Sequence, residues 1–141
     1  TRTVSAAEFF QIPKTDSDRE TVLRPNEVLT EIIVPIKGLR NATYEIRHRQ
    51  GFDWPYVTAS VAFELKSGMV SKSTVVLGHV APTPWASAAA ARAIDGSSLN
   101  DGSATRCGQA ASEGAKPLSG KAYKVQMVKT AVKRALLAAA A

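Results

Sequence analysis

The middle of the chain alternates between apolar and polar residues, which is the pattern of strands with one buried face. Residues 42–49 alternate in this way, and residues 57–66 do so over a longer run. Ser67 and Gly68 follow, a pair typical of a tight hairpin turn because glycine accepts a positive φ. A further β-rich run then extends over residues 70–80. The pattern therefore predicts three antiparallel strands.

The region before these strands predicts one more strand and a short helix. Residues 28–34 form a β-branched run that ends at Pro35, a residue that cannot continue the ladder of a central strand. Ser5 and Glu8 have the spacing of a capping box, which predicts a helical turn ending near Gln11.

After residue 80 the hydrophobic period becomes helical. Thr83 and Pro84 suit the cap and first position of a helix that ends at Gly96. Asn100 or Asp101 could cap a second helix reaching about residue 115, and residues 122–140 predict a third with one apolar stripe. Strands followed by helices predict an α+β fold, in which an antiparallel sheet of three to four strands carries three helices packed on one face.

Length and composition narrow the class of protein. The chain has 141 residues, of which 45% are hydrophobic and 21% charged, so it is globular in composition and of single-domain size. Its one cysteine, Cys107, excludes an internal disulfide and fits a small buried side chain. No apolar run is long enough to cross a membrane, so no membrane insertion is expected. The first residues contain neither a start methionine nor a signal peptide, which indicates a fragment or a mature product.

The net charge of +6 is concentrated in two basic clusters. Each cluster is either a solvated face or a docking surface for an anionic group: a cofactor pyrophosphate, an acidic partner subunit or nucleic acid. No aromatic ladder accompanies the lysines, which argues against nucleic acid. The clusters consist of Lys37, Arg40, Arg47 and Arg49, and of Lys121, Lys124, Lys129, Lys133 and Arg134.

The residues of a self-contained active site are missing from the sequence. His48 and His79 have no second ligand at a metal-like spacing, so neither a metal site nor a catalytic residue is predicted. Glycine-rich phosphate loops are absent as well. The most chemically dense segment is residues 47–56, with two arginines, one aspartate and three aromatic rings. It is either a packed loop in which Arg49 pairs with Asp53, or a surface presented to a flat or anionic ligand.

Four segments resemble the FAD-binding (medium) subunits of the molybdenum hydroxylases, the family of xanthine dehydrogenase, carbon monoxide dehydrogenase and the aldehyde oxidoreductases. They occur in the family's order, cover about residues 20–137 and match the C-terminal domain of that subunit. The segments are residues 23–35, residues 44–60, residues 77–85 and residues 117–125.

The resemblance implies a role inside a larger enzyme. Residues 1–22 would be the tail of the preceding FAD-binding domain, and residues 23–141 the C-terminal domain, which forms part of the flavin site and of a subunit interface. Electrons would pass from molybdopterin through [2Fe-2S] clusters to FAD, with an iron–sulfur subunit and a molybdopterin-binding subunit as partners. The isolated fragment is expected to be inactive and to bind FAD weakly or not at all.

The resemblance also implies five cofactor-binding residues. Leu29 matches an apolar position near the flavin ring system, and the loop with Arg49, Asp53 and Trp54 matches the one beside the isoalloxazine. Glu45 stands where the family often has lysine, so the local charge is reversed.

Other functions stay open on the sequence alone. One is a stand-alone interaction or dimerisation module, and another is a nucleic-acid binder, suggested by a pI of about 9.7. The cytoplasm is the expected location, with the periplasm as the alternative, and a homo-oligomer also stays open. The oxidised substrate and the electron acceptor are not specified.

Overall fold

The computed structural model describes residues 1–36, 38–49, 51 and 53–141. The chain divides into two compact units, Thr1–Ile36 and residues 37–141. The second unit contains the sheet and three helices, whereas the first contains a single helical turn. The elements are α1 (Ala6–Phe9), β1 (Arg40–Ile46), β2 (Val57–Lys66), β3 (Met69–Gly78), β4 (Trp85–Ala86), α2 (Ala88–Ile94), α3 (Asp101–Ala111) and α4 (Tyr123–Ala140).

The first unit departs from the sequence prediction in two places. Helix α1 begins as expected, but the predicted capping box does not form. The Ser5 hydroxyl donates to the Glu8 carboxylate (2.7 Å) and does not cap a backbone N–H. Residues 28–34 form no strand, because nothing in the described part of the chain pairs with their backbone. Their apolar side chains are exposed, Val28 at 82%. High β-propensity alone does not make a strand without a ladder partner.

The second unit confirms the α+β prediction. Its four strands lie in the order β1-β2-β3-β4 and are antiparallel throughout. Strand β2 has the bounds that its alternation predicted, and its alternate residues Val57 to Phe63 are buried on the face that the helices cover. Ser67 and Gly68 both have positive φ, at 50° and 78°, which fits the tight turn between β2 and β3.

The predicted helix start at Thr83 and Pro84 is wrong. Trp85 pairs with Leu77 in the short strand β4, and α2 begins only at Ala88. The reason is tertiary: the Ser87 N–H donates to Val75 O (2.8 Å) and holds the chain at the sheet, while the Ser87 hydroxyl accepts from Ala90 N–H and caps the helix.

The other two helices follow the prediction closely. Asn100 caps α3 and forms a capping box with Ser103. Helix α3 ends at Ala111 instead of about residue 115, before Gly114 with its φ of 71°. Helix α4 lies on β1 and β2, α2 lies on β3, and α3 packs between the two helices. The largest fully buried side chains are Phe63, Ile94, Leu136, Val57, Val70, Val75 and Val132.

Gly108 explains how α3 approaches α4. A Cβ at this position would lie 2.5 Å from the backbone oxygen of Lys129. The absent side chain therefore lets the two helix backbones come into contact, which accounts for a glycine in a helix interior. No helix among the described residues combines the length and the hydropathy that a membrane crossing requires.

Candidate functional site

The loop between β1 and β2 is held at both of its ends by the sheet. β1 ends at Ile46, and the Tyr56 N–H donates to Ile46 O (2.8 Å) just before β2 begins. The described residues of this loop, 47–49, 51 and 53–55, therefore lie beyond the end of two paired strands. Gln50 and Phe52, two residues of this chemically dense segment, lie outside the described residues, as does Lys37 of the first basic cluster.

Arg49 and Asp53 form the expected pair inside this loop. The Arg49 guanidinium donates to both carboxylate oxygens, each at 3.1 Å, and the Arg49 backbone N–H donates to one of them at 3.1 Å. These hydrogen bonds, with further help from His48 and Arg47, hold the pKa of the Asp53 carboxyl below its usual value. The pair links two residues of the loop and favours the ionised form of Asp53.

Glu45 lies on the exposed side of β1 and accepts a hydrogen bond from the guanidinium of Arg47. The Glu45 carboxylate is therefore paired with the guanidinium of its neighbour two residues on. Charge reversal at this one position does not make the surface negative.

An open cleft of about 530 Å³ lies beside β1 and the loop. Three of its residues are arginines and only one is acidic, so an anionic or polar ligand would meet mainly donors. The lining residues are Tyr44, Glu45, Ile46, Arg47, His48, Arg49, Gly51 and Arg134.

No sequence pattern predicted that Arg134 would line the cleft. It reaches from α4, where its guanidinium lies 5.2 Å from the ring centroid of Tyr44 and donates to the Tyr44 hydroxyl. The sequence showed it only as one member of a basic cluster. Since 90 residues separate Arg134 from Tyr44, no local pattern could have joined them.

Trp54 is 86% exposed. Its ring centroid lies 6.4 Å from that of His79, which follows β3 and has a φ of 63°. Tyr56 meets the ring of Tyr123 edge to face at 6.3 Å. The prediction of a packed loop is therefore confirmed for the ion pair, while Trp54 does not cover the sheet edge.

Leu29 lies in the unit Thr1–Ile36 and is 51% exposed. Its expected place beside a flavin stays a prediction. Cys107 is buried in the second unit and its thiol donates to Ala90 O (3.2 Å). Burial raises the pKa of this thiol to about 12, which removes it from nucleophilic chemistry at neutral pH.

The described part of the chain is thus an α+β domain with an open cleft lined by three arginines. The chain belongs to the family of the CO dehydrogenase flavoprotein C-terminal domain, whose model matches residues 42–139. The family resemblance found in the sequence is thereby confirmed. No curated protein sequence matches the chain significantly.

Solved structures support the same assignment. Quinoline 2-oxidoreductase from Pseudomonas putida 86 is similar with a TM-score of 0.86 and 25% identity, over 99% of this chain and 48% of that one. Carbon monoxide dehydrogenase from Hydrogenophaga pseudoflava follows at 0.80 and 31%, over 98% and 48%. Reconstituted CO dehydrogenase from Oligotropha carboxidovorans gives 0.78 and 26%, over 98% and 48%. This chain therefore spans about half the length of the chains that it matches.

Proposed function

We propose that this chain is the C-terminal domain of the FAD-binding subunit of a molybdopterin-dependent oxidoreductase and forms one wall of the flavin site. The observation that carries the proposal is the cleft and loop at the end of β1, which lie inside the matched family region. The similarity to carbon monoxide dehydrogenase and quinoline 2-oxidoreductase supports an oxidoreductase as the parent enzyme.

The residues at the cleft fit one side of a flavin. Guanidinium groups and the Tyr44 hydroxyl would supply hydrogen bonds for polar ring edges. Trp54 does not line the cleft, but it follows in the same loop and its exposed indole offers a flat apolar surface. The sequence contains no glycine-rich loop of the kind that binds a pyrophosphate, so these residues would contact FAD without holding it alone. When bound, FAD would take up electrons delivered by iron–sulfur clusters and pass them to an acceptor.

The charged residues at the cleft would be this chain's contribution to electron uptake by the flavin. Arg49 is bound to Asp53 and Arg47 to Glu45, which leaves Arg134 as the lining cation without a carboxylate partner among the described residues. A cation near a group that gains negative charge stabilises the charged form. Arg134 would therefore favour reduction of a flavin at this wall.

The proposal extends to the assembly. The expected partners are an iron–sulfur subunit and a molybdopterin-binding subunit, and catalysis would belong to the whole complex. Residues 1–22 are assigned to the preceding FAD-binding domain, and Leu29 to a position near the flavin ring. The cytoplasm stays the predicted location, with the periplasm as the alternative.

The test uses the full-length FAD-binding subunit that contains this chain. We expect one FAD per polypeptide, and we expect Arg134→Gln and Arg49→Gln to lower the reduction potential of the flavin. Arg106→Gln is the matched control, since Arg106 is an exposed arginine of α3 outside the cleft lining. If the reduction potential of the flavin changed equally in all three variants, the proposal that this cleft forms a wall of the flavin site would be refuted. A flavin-free full-length subunit that still bound a partner would support the interaction module instead.

A further inference from the structure

His79 has a backbone conformation that most residue types avoid. It directly follows β3, and its φ is 63°. Positive φ is uncommon in residues other than glycine, although histidine, asparagine and aspartate accept it more readily than the rest. The conformation costs free energy and persists only where the surrounding structure holds it. Contacts around His79 must therefore fix its backbone.

The sheet and helix α4 hold His79 from two sides. On the sheet side, the preceding Gly78 pairs with Thr58 of β2, and a Cβ on Gly78 would clash with the Thr58 hydroxyl. On the helix side, the Lys124 ammonium in the first turn of α4 donates to His79 O at 2.7 Å. Because α4 packs on β1 and β2, both anchors belong to the same packed unit. The backbone of His79 is therefore fixed relative to the core.

The imidazole of His79 lies beside the indole of Trp54. The ring centroids are 6.4 Å apart and the ring planes are inclined by 53°, which is within the range of favourable aromatic pairs. Trp54 is carried by the loop between β1 and β2, and a tryptophan side chain has several staggered rotamers. A neighbouring ring with a fixed backbone favours the rotamers that keep the contact. His79 therefore restricts the orientation of the indole.

We infer that His79 is a positioning residue, which orients the Trp54 indole for its place at the flavin wall. The inference rests on the proposed function, which assigns Trp54 to that wall. His79 would not touch FAD itself. It would hold the indole in the orientation that the flavin requires, so that less side-chain freedom is lost when FAD binds. Both rings belong to this chain, so their contact does not depend on which other segment covers them.

Two measurements on the full-length FAD-binding subunit test the inference, and the first is an NMR measurement of the contact itself. An indole displaces the resonances of nearby protons through its ring current. In a subunit with isotope-labelled histidine, Trp54→Leu should therefore shift the ring resonances of His79. Trp85→Leu is the matched control, because Trp85 is the other tryptophan of the chain and lies in β4. Unshifted His79 resonances in Trp54→Leu, or an equal shift in Trp85→Leu, would overturn the inference.

The second measurement is the visible circular dichroism of the bound flavin, which responds to the groups around the flavin ring. His79→Asn removes the imidazole, while asparagine accepts a positive φ and keeps the carbonyl that binds Lys124. We expect His79→Asn to change the dichroism in the same direction as Trp54→Leu, and Lys124→Met to do so to a smaller extent. Lys129→Met, also on α4, should give the parent spectrum.

A double variant shows whether His79 acts through Trp54. When Trp54 is already leucine, His79→Asn should cause no further change in the dichroism, and an undiminished change would overturn the inference. The parent spectrum in His79→Asn or in Trp54→Leu would overturn it too. The FAD content of each variant is measured separately. With one FAD per parent subunit these outcomes refute only the role of His79, whereas absence of FAD from the parent subunit refutes the proposed function.

Discussion

The close contact at Gly108 allows a prediction of how Gly108→Ala changes stability. The gain in helix propensity and the cost of overpacking oppose each other, and the size of each can be estimated. Gly108 lies inside α3 and faces the backbone of α4. Replacing glycine by alanine in an exposed helix interior stabilises the helix by about 1 kcal/mol. At Gly108 the new Cβ would lie 2.5 Å from Lys129 O, so the helices must separate by about 0.9 Å to reach ordinary contact at 3.4 Å.

Separation of this size disturbs a packed interior. Overpacking typically costs about 1–3 kcal/mol, and here the obstacle is backbone, which cannot rotate out of the way as a side chain can. A backbone obstacle puts the cost in the upper part of that range, at about 2–3 kcal/mol. Subtracting the helix-propensity gain of about 1 kcal/mol, we expect Gly108→Ala to lower the free energy of unfolding by about 1–2 kcal/mol. Urea denaturation followed by circular dichroism measures this directly.

Gly102→Ala is the matched control in the same helix. Its Cβ would meet no backbone, only the Asn100 side-chain oxygen at 3.2 Å and the end of the Arg106 side chain at 3.8 Å. Gly102 is exposed in the first turn of α3, so we expect Gly102→Ala to leave the free energy of unfolding unchanged or to raise it by up to about 1 kcal/mol. If Gly108→Ala proved as stable as Gly102→Ala, or more stable than the parent, the close approach of α3 to α4 would be refuted.

Three further predictions concern ionisation, reactivity and the core. Arg49→Ala should raise the pKa of the Asp53 carboxyl towards its ordinary value, as carboxyl NMR titration would show. Because the pKa of Asp53 is lowered in the folded chain, the ion pair stabilises the fold at pH values above the ordinary carboxyl pKa. This stabilisation is lost as the pH falls through the pKa of Asp53 in the folded chain. If the pKa of Asp53 were the same in Arg49→Ala as in the parent, Arg49 would be excluded as the cause of its shift. Cys107 should not react with a thiol reagent at about pH 8 until the chain is unfolded, and rapid labelling of the native protein would contradict its burial. Leu136→Ala, at a fully buried position of α4, should lower the free energy of unfolding by about 2–5 kcal/mol in urea, and a loss below about 1 kcal/mol would show that α4 does not seal the core.

Much of the second unit could be predicted because its signals are local. The alternation of residues 57–66 predicted both ends of β2, and Asn100, one of the two cap candidates with Asp101, is the residue that caps α3. Each signal needs only the neighbouring residues, since the pleat of a strand and the first turn of a helix repeat over a few positions. The Arg49–Asp53 pair belongs to the same group, because four residues separate its partners.

Local signals were wrong where a distant contact decided the conformation. Thr83 and Pro84 are good helix starters, yet Ser87 caps α2 because its N–H is bound to β3. The β-branched residues 28–34 favour a strand, but a strand also needs a partner backbone, which no propensity supplies.

The sequence by itself determined the α+β class and the loop in which charged and aromatic residues gather, because these follow from periodicity and composition. The resemblance of its four segments pointed to the family. Only the tertiary structure decided that Arg134 lines the cleft and contacts Tyr44, that Trp54 lies near His79, and that Tyr56 meets Tyr123. The physical reason is that a folded sheet and the helix packed on it bring together side chains up to 90 residues apart, a juxtaposition that exists only once the core has formed.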